Sequence, residues 1–280
     1  MADQDPQPAM SSLIRHEPGV MVIRNVNFPG MLALYRKEVR RFMKVQLQTI
    51  WAPALTTLLF LVIFTVALGR GGLTVMGVSF ADFVAPGLII MGMVQNSFQN
   101  ATTGLLVGKV QGTIVDYLMP PLSAGELLFA LIAASVTRSV CVGAAVWAAM
   151  LLWPGVHVMP HHLWAVIWFG LTGSAMLAFI GLLTAMWADK FDHAAAVGNF
   201  LVAPLSLLSG TFYSMEHVAP LFRSISHANP FFYAISGFRY GFLGQTDSSI
   251  LLGTVVMLGL NLALALLCYT ALVKGWRIKA

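Results

Sequence analysis

The chain has 280 residues, of which 58% are hydrophobic and only 10% are charged, and its formal net charge is +5. Because a soluble domain carries about 25% charged residues, this composition excludes an ordinary water-soluble globular protein. Several uncharged apolar stretches have the roughly 20 residues that a membrane-spanning helix needs, whereas the alternating strands of about 10 residues typical of a transmembrane barrel are absent. The sequence therefore predicts an all-α polytopic membrane protein.

Two segments precede the first apolar stretch. Residues 1–28 are polar, lack the pattern of a signal peptide, and are expected to be a flexible cytoplasmic N-terminus. Residues 28–46 follow with helical periodicity. The apolar face holds Met31, Leu34, Tyr35, Phe42 and Val45, and the basic residues elsewhere are Arg36, Lys37, Arg40, Arg41 and Lys44. This pattern predicts an amphipathic helix at the cytoplasmic membrane interface, as a basic anchor, a docking surface for a partner, or both.

Six apolar stretches are candidate membrane spans, at about 46–68, 83–106, 127–152, 163–187, 194–213 and 250–273. Pro53, Pro86 and Pro204 lie within spans and are expected to kink or break them, because proline removes a helix donor. No internal repeat is strong enough to support an inverted-repeat secondary transporter.

The basic residues set the orientation of these spans. If both termini share one side, that side carries twelve lysines and arginines and the other side carries three. The twelve are Arg15, Arg24, Arg36, Lys37, Arg40, Arg41, Lys44, Lys109, Lys190, Lys274, Arg277 and Lys279, and the three are Arg70, Arg223 and Arg239. Both termini are therefore expected to be cytoplasmic. The positive charge then indicates contact with membrane lipids, and no nucleic acid partner is expected.

The loop between the second and third spans, residues 105–128, contains two helical patterns. A short amphipathic piece, 109–119, is followed by two prolines and by a second helix start at Ser123, where Glu126 completes a capping-box pattern. We expect a short helix across the cytoplasmic face that serves as a docking surface. The loop 188–193 between the fourth and fifth spans is expected to be a plain turn.

The sequence contains no catalytic or nucleotide-binding motif of the common kinds. G-x-x-x-x-G-K-[ST], H-E-x-x-H and G-x-S-x-G are all absent. His157, His161 and His162 cluster on an outer loop without cysteine or carboxylate nearby, which favours a solvated loop over a metal site. Cys141 and Cys268 lie inside apolar runs, so no disulfide framework is implied.

Arg138 is the one ionisable residue clearly inside a predicted span. An arginine at mid-span costs at least about 2.5–3.5 kcal/mol on insertion scales, so it is expected to face the bundle interior or an aqueous cavity. It either acts as a structural hydrogen-bond hub or contacts an anionic substrate or gating partner. Gln95, Asn96 and Asn100 are candidate polar partners.

Residues 228–245 form a short aromatic segment between the last two spans. Asn229 and Pro230 predict a helix break, since the residue before proline disfavours the α conformation. The aromatic rings suit the membrane interface; they are Phe231, Phe232, Tyr233, Phe238 and Tyr240.

Several motifs, taken in order, resemble the permease subunit of ABC-2 type transporters, a family of drug, lipid and polysaccharide export permeases. They are "YRKEVRRF", "FVAPGLIIMGMVQNSF", "IVDYLMPPLSAGELL" and "TRSVCVG", followed by a Leu-Ser-Gly span end, Asn-Pro and Gly-Phe-Arg. The likeness is strongest to the YadH-like and nodulation-protein-J-like branches. It implies an ABC-2 transmembrane domain over residues 29–275 and a cytoplasmic tail over 276–280.

The resemblance implies a homodimer of six-span subunits with a separate ABC ATPase subunit. That partner binds ATP and Mg²⁺, and no cofactor is expected in this chain. The short helix between spans two and three couples to the ATPase in this family. By position, the expected contacts are Val110, Ile114, Asp116, Tyr117, Met119 and Glu126, and the entry helix adds Arg36, Glu38, Arg40 and Arg41.

The resemblance also implies that residues 214–245 fold back into the outer leaflet and close the outer end of the pathway. The residues expected at this outer gate are Gly210, Asn229, Pro230, Tyr233 and Arg239. Arg239 either extends to the outer headgroups or pairs with Glu216 or Asp247. A re-entrant hairpin without a gating role remains the alternative.

The function expected from these features is the transmembrane permease subunit of an ATP-driven exporter in a bacterial inner membrane. Its substrate is of a lipid, drug or polysaccharide type, and the chain itself is not an enzyme. The alternative is a stand-alone channel or ion-coupled transporter, which usually needs several intramembrane carboxylates. A membrane enzyme would need a clustered catalytic set at one membrane face. In this sequence only the outer histidines suggest such a set.

Overall fold

The computed structural model of the chain describes residues 26–68, 74–153, 156, 158–213 and 220–277. Its elements are α1 (Phe28–Met43), a first π-helical turn (Leu47–Trp51), α2 (Ala52–Leu68), β1 (Thr74–Val75), β2 (Val78–Ser79), α3 (Phe80–Val110), α4 (Val115–Leu118), α5 (Ala124–Leu151), α6 (Leu163–Trp187), α7 (Phe191–Val197), a second π-helical turn (Gly198–Val202), α8 (Ala203–Leu207), α9 (Pro220–Ala228), α10 (Pro230–Leu243) and α11 (Ile250–Val273). Most of the predicted N-terminal segment and the end of the predicted tail lie outside the described residues.

The long helix α3 is the centre of the bundle. It packs against α5, α6 and α10, and most of its residues are buried. Its contact with α6 depends on glycine, because a Cβ at Gly181 would lie 2.6 Å from the carbonyl oxygen of Phe98. Small residues let helices approach closely in a membrane, where van der Waals packing drives their association.

Four helical segments are long and apolar enough to cross a membrane, judged by length and composition: Leu47–Val66, Ala124–Leu151, Leu163–Trp187 and Ile250–Val273. They correspond to the first, third, fourth and sixth predicted spans and confirm a polytopic helical membrane protein. The second predicted span lies inside α3, which has 31 residues but carries several polar side chains. The fifth is divided between α7, the second π-helical turn and α8.

Both π-helical turns come just before a proline. The amide of Ala52 donates to the carbonyl of Leu47, and the amide of Ala203 donates to the carbonyl of Gly198, so each turn has the wider i to i+5 spacing. A proline ring clashes with the carbonyl four residues before it, and the wider turn removes this conflict. The predicted disruption at two prolines is therefore a π turn, whereas α3 continues through Pro86.

A short β-hairpin precedes α3 and was not predicted. β1 and β2 pair antiparallel. The two turn residues, Met76 and Gly77, have φ angles of 53° and 76°, as a two-residue hairpin turn with two positive φ angles requires.

Candidate functional site

A buried polar cluster joins the entry helix α1 to α3 and α4. Glu38 is only 1% exposed. Its carboxylate pairs with Arg41 at 2.9 Å and accepts a hydrogen bond from the Tyr117 hydroxyl at 2.8 Å. Arg41 also donates to the backbone and side-chain oxygens of Asn100, at 3.2 and 3.3 Å. We call these four residues the buried cluster; with both charges paired and hydrogen-bonded, it fixes α1 and α4 against α3.

The hydrogen bond between Tyr117 and Glu38 has a defined donor, the tyrosine hydroxyl. Burial and the neighbouring Glu38 carboxylate raise the pKa of Tyr117, so the phenol remains a donor and Glu38 remains the acceptor. The helix α3 makes room for the pair at Gly104, where a Cβ would lie 3.0 Å from the Arg41 guanidinium. The Tyr117 ring also carries Lys37 above it, with the ammonium 3.9 Å from the ring centroid.

The four predicted entry-helix contacts divide into two pairs. Arg36 and Arg40 are exposed and project from the described part of the protein, whereas Glu38 and Arg41 belong to the buried cluster. The sequence places all four on one short helix, but the packing of α1 against α5 decides which of them reach solvent.

The helix α4 is a single turn, shorter than the amphipathic piece predicted over residues 109–119. The helix α3 ends at Val110, and Gly112 follows with a φ of +73°. A left-handed residue of this kind terminates a helix, and glycine adopts it without strain. The chain therefore turns before α4 begins.

The side chains around α4 point in two directions. Ile114 and Tyr117 are buried, at 6% and 7% exposure. The outward residues are Val110, Val115, Asp116, Leu118 and Met119, and we call them the coupling face. Met119 is 77% exposed and Val110, Val115 and Leu118 are each nearly half exposed. Exposed apolar residues that cluster in this way are typical of an interaction site.

Glu126 lies apart from the coupling face and organises two helix starts. Its carboxylate accepts hydrogen bonds from the backbone amides of Ser123, at 2.7 Å, and Asn27, while the Ser123 hydroxyl accepts from the Glu126 amide at 3.3 Å. The predicted capping box is thus confirmed. Asn27 in turn caps α1 by accepting from Gly30 and donates to the carbonyl of Pro121.

The segment after α6 is held to α3 by Lys109. The lysine ammonium donates to the carbonyls of Met186 and Ala188 at 2.8 and 2.7 Å and lies 3.6 Å from the Asp189 carboxylate. Burial lowers the pKa of Lys109, and Asp189 partly offsets this effect. A cation at a helix C-terminus satisfies the last carbonyls of the helix and interacts favourably with the helix dipole. Lys109 therefore anchors the end of α6 and the loop after it to α3.

Arg138 of α5 is 8% exposed and donates to the side-chain oxygen of Asn96 at 3.0 Å. Of the three candidate partners, the structure assigns Asn96, whose amide nitrogen also donates to the carbonyl of Gly92 at 3.0 Å. The contact joins α5 to α3, as expected for a structural hub.

We expect Asn96→Leu to destabilise the protein by about 1–3 kcal/mol, because the buried guanidinium of Arg138 loses its acceptor. Thermal unfolding in detergent measures this change. Gln95→Leu, one position away on the same helix, is the matched control and is expected to have a smaller effect. Equal losses in the two variants would contradict the assignment.

Helices α9 and α10 form the segment that was predicted to lie on the outer side, and we call it the outer segment. Arg239 is buried in its interior. It is 1% exposed, pairs with Asp247 at 2.9 Å and donates to the carbonyl of Gly210 at 2.7 Å. Its guanidinium carbon lies 4.0 Å from the centroid of the Phe83 ring. The arginine therefore does not extend to lipid headgroups; of its two proposed acidic partners it uses Asp247, and Glu216 lies outside the described residues. The contacts tie α10 to the chain after α8, to α3 and to the loop before α11.

The predicted break at Asn229 and Pro230 separates α9 from α10. The Asn229 side chain accepts from the amide of Phe231 at 3.1 Å and donates to the carbonyl of Leu205 at 2.7 Å, which ties the break to α8. The Tyr233 hydroxyl donates to the carbonyl of His227 at 3.0 Å. Gly210 has a φ of +77°, where glycine is favoured.

Four of the five aromatic rings that were predicted to suit the membrane interface are buried within the protein. The helix α10 packs against α3, α6 and α11, and this packing buries its aromatic side chains. Tyr240 alone among the five is half-buried; the buried rings are Phe231, Phe232, Tyr233 and Phe238.

The outer histidines contact α10. The backbone amides of His161 and His162 donate to the carbonyl of Gly241 at 2.9 and 2.8 Å, and the His162 ring stacks on Tyr240 with 4.8 Å between centroids. His157 lies outside the described residues. Within the part of the chain that the structure describes, no group of three His, Cys, Asp or Glu residues is placed to hold a metal ion.

One face of α3 carries Gln95, Gln99 and Thr103, which we call the polar stripe. Gln99 and Thr103 are exposed and Gln95 is half-buried. A groove of about 310 Å³ separates the stripe from α2, and one of about 350 Å³ separates it from α7 and the second π-helical turn. Threonine and amide side chains, with no charged residue, supply the polar lining: Gln48, Thr56, Thr57, Asn96, Thr102 and Asn199 beside the stripe. The stripe was not predicted as a site, although its spacing of four residues places its members on one helix face.

A known protein family matches most of the chain. The model of the family described as "ABC-2 type transporter" matches residues 30–243. This chain belongs to the ABC-2 type transporter family. The match extends from α1 through α10, so the buried cluster, the coupling face, the polar stripe and the outer segment all lie within the ABC-2 region. Family membership makes the chain the membrane component of an ABC transporter.

Individual relatives match between 63% and 88% of the chain. The "Inner membrane transport permease YadH" of Escherichia coli (strain K12) is 32% identical over 247 residues, which is 88% of this chain and 95% of the relative. The "Nodulation protein J" of Rhizobium leguminosarum bv. viciae is 26% identical over 248 residues, covering 87% and 93%. That of Neorhizobium galegae is 26% identical over 183 residues, covering 63% and 67%.

Proposed function

We propose that this chain is the transmembrane permease subunit of an ATP-driven exporter, working as a homodimer with a separate ABC ATPase subunit that binds ATP and Mg²⁺. The polar stripe carries this proposal. Exposed amides in the middle of a membrane helix are unfavourable against lipid and face a cavity, a ligand or another subunit. A two-fold axis beside the stripe brings two copies of it together, and the grooves on either side then join into a polar pathway.

The proposed topology has six spans with both termini in the cytoplasm. In addition to the four apolar helices, α3 spans the membrane, since 31 residues of helix measure about 46 Å against a hydrocarbon core of about 30 Å. The α7–π–α8 stretch is the remaining span, and α9 and α10 form the re-entrant outer segment. The likeness to the inner membrane transport permease YadH supports an inner-membrane location.

The proposed contact with the ATPase is the coupling face, together with the exposed Arg36 and Arg40 of α1. ATP binding closes the partner dimer and moves the coupling face. Tyr117 lies on the buried side of α4 and donates a hydrogen bond to Glu38. The buried cluster therefore transmits the movement of the coupling face to α1 and α3. The two subunits then rock or separate at the polar stripe, and the substrate passes outward.

The proposed substrate is of a lipid, drug or polysaccharide type. The uncharged lining of the two grooves supports a substrate region that forms hydrogen bonds without a formal charge. At the outer end, Gly210, Asn229, Pro230, Tyr233 and Arg239 hold the outer segment closed. This gating role is supported by the tight attachment of α10 to α3 and to the chain after α8.

Cross-linking tests the proposed dimer without knowledge of the substrate. In a variant with Cys141 and Cys268 replaced by serine, Gln99→Cys is expected to give a covalent dimer with a short bis-maleimide in native membranes. Leu262→Cys is the matched control, because Leu262 is 63% exposed on α11, away from the polar stripe, and is expected to remain monomeric. A monomer for Gln99→Cys, or a dimer for Leu262→Cys only, would contradict the proposed interface.

A further inference from the structure

Helix α11 covers the contact between α5 and α6 at one end of these helices and leaves it open at the other end. At the covered end, α11 lies over it: Tyr269 is 3.9 Å from the Cβ position of Gly125, and the Cys268 thiol donates to the carbonyl of Phe179 at 3.5 Å. At the end nearer to residues 152–162, the two helices instead border a groove of about 250 Å³. Since α5 and α6 are both candidate spans, this groove lies at membrane depth.

Two glycines leave room for the groove because they lack side chains, and apolar side chains line it. A Cβ at Gly143 of α5 would lie 2.6 Å from the sulfur of Met93, and a Cβ at Gly170 of α6 would lie 3.2 Å from its methyl group, so Met93 of α3 fills the floor. Phe238 of α10 completes the floor, and Ala144 lies at the edge. An apolar cavity of about 150 Å³ already stays dry and accepts a hydrocarbon guest such as benzene.

Amphipathic rings lie beyond the end of the groove. Ile167 lines the groove, and Trp164 lies one turn away on the same face of α6. Both are more than half exposed. The Trp164 ring is 6.3 Å from Tyr240, which stacks on His162. Tryptophan and tyrosine are enriched where the hydrocarbon core meets the headgroups, so the rings are suited to the polar end of a lipid.

We propose that this groove binds one acyl chain of a membrane phospholipid, whose headgroup lies beside His162, Trp164 and Tyr240. The groove opens between two candidate spans, and its lining is almost entirely apolar, so hydrocarbon rather than water occupies it. The occupant contacts Met93 and Phe238, so that it supports the packing of α10 on α3. The groove and the polar stripe involve different faces of α3, and this lipid site is distinct from the proposed substrate pathway.

Photolabelling of the full chain tests the site. The protein is reconstituted in vesicles of phosphatidylethanolamine and phosphatidylglycerol that contain a phospholipid with a diazirine in one acyl chain, and adducts are mapped by mass spectrometry. We expect labelling of Val140–Trp147 and Val166–Leu171 to exceed labelling of the exposed face of α11 several-fold. Ala144→Phe fills the groove and is expected to reduce this labelling to the level of α11.

The matched control is Ala263→Phe, which adds the same ring to an exposed position of α11 outside the groove and is expected to leave the labelling of α5 and α6 unchanged. Equal labelling of α5, α6 and α11, or full labelling of Ala144→Phe, would overturn the proposal. If Ala144→Phe does not elute as a folded protein, Ala144→Leu is the smaller filling variant, and retained labelling in that variant would overturn it equally.

Discussion

Asp247→Leu is expected to destabilise the protein by about 3–5 kcal/mol, because it removes the carboxylate that pairs with the buried guanidinium of Arg239. The Arg239 and Asp247 side chains are 1% and 2% exposed, so water does not compensate for the lost partner. The carbonyls of Gly210 and Thr211 remain as acceptors for the guanidinium, but neither carries a formal charge. Unfolding in detergent with increasing denaturant measures the loss.

The double variant Arg239→Met/Asp247→Leu distinguishes the loss of the ion pair from the cost of leaving one buried charge without its partner. It removes both charges and keeps apolar volume next to the Phe83 ring, so we expect it to recover part of the stability lost in Asp247→Leu. A double variant as unstable as the sum of the two single variants would show that the ion pair does not act as a unit. A stable Asp247→Leu variant would contradict the buried pair itself.

Glu38→Leu is expected to destabilise the protein by about 3 kcal/mol and to detach α4 from the entry helix. The carboxylate is the shared partner of Arg41 and Tyr117. Without it, Arg41 loses its paired charge and keeps the oxygens of Asn100, and the Tyr117 hydroxyl keeps the longer contact to the carbonyl of Gly104 at 3.3 Å. We place the effect at the lower end of the range for broken buried pairs, since the Arg41 side chain is 32% exposed and water partly replaces the lost contact. Thermal unfolding in detergent measures the stability.

Two variants bracket this result. Tyr117→Phe removes only the hydroxyl that donates to Glu38 and is expected to cost about 1.5–3 kcal/mol, as for other hydrogen bonds to charged groups. Arg36→Leu changes an exposed residue of the same helix and is expected to leave stability within about 0.5 kcal/mol. If Arg36→Leu and Glu38→Leu were equally destabilising, α1 would act through its surface charge, and the buried cluster would not hold α4.

Features that depend on neighbouring residues could be predicted from the sequence. The Ser123–Glu126 capping box and the break at Asn229–Pro230 are set by a few adjacent residues, and the structure shows both. The amphipathic helix was predicted over residues 28–46 and is observed as Phe28–Met43. The long apolar helices likewise follow from composition, because a hydrocarbon environment requires them.

Features that depend on tertiary packing could not be predicted. Glu38 stands among basic residues that suggest a solvated surface, and only the packing of α1 against α3 and α5 shows that it is buried. Arg239 had two acidic candidates, one on each side of it along the chain, and the fold of the loop after α10 places Asp247 against its guanidinium. The prolines predicted a disturbance in two spans, but the π-helical form depends on how each span repairs its hydrogen bonds.

In the proposed mechanism, a separate ATPase drives this membrane subunit through the coupling face. The most direct test is co-purification with candidate ABC ATPase subunits from the same organism, followed by ATP hydrolysis in lipid for the wild type and Asp116→Lys. We predict a stable complex with two copies of each subunit, whose hydrolysis falls in the variant because a cation replaces an exposed carboxylate on the coupling face. A chain that purifies alone, binds no ATPase and still transports or conducts would contradict the account.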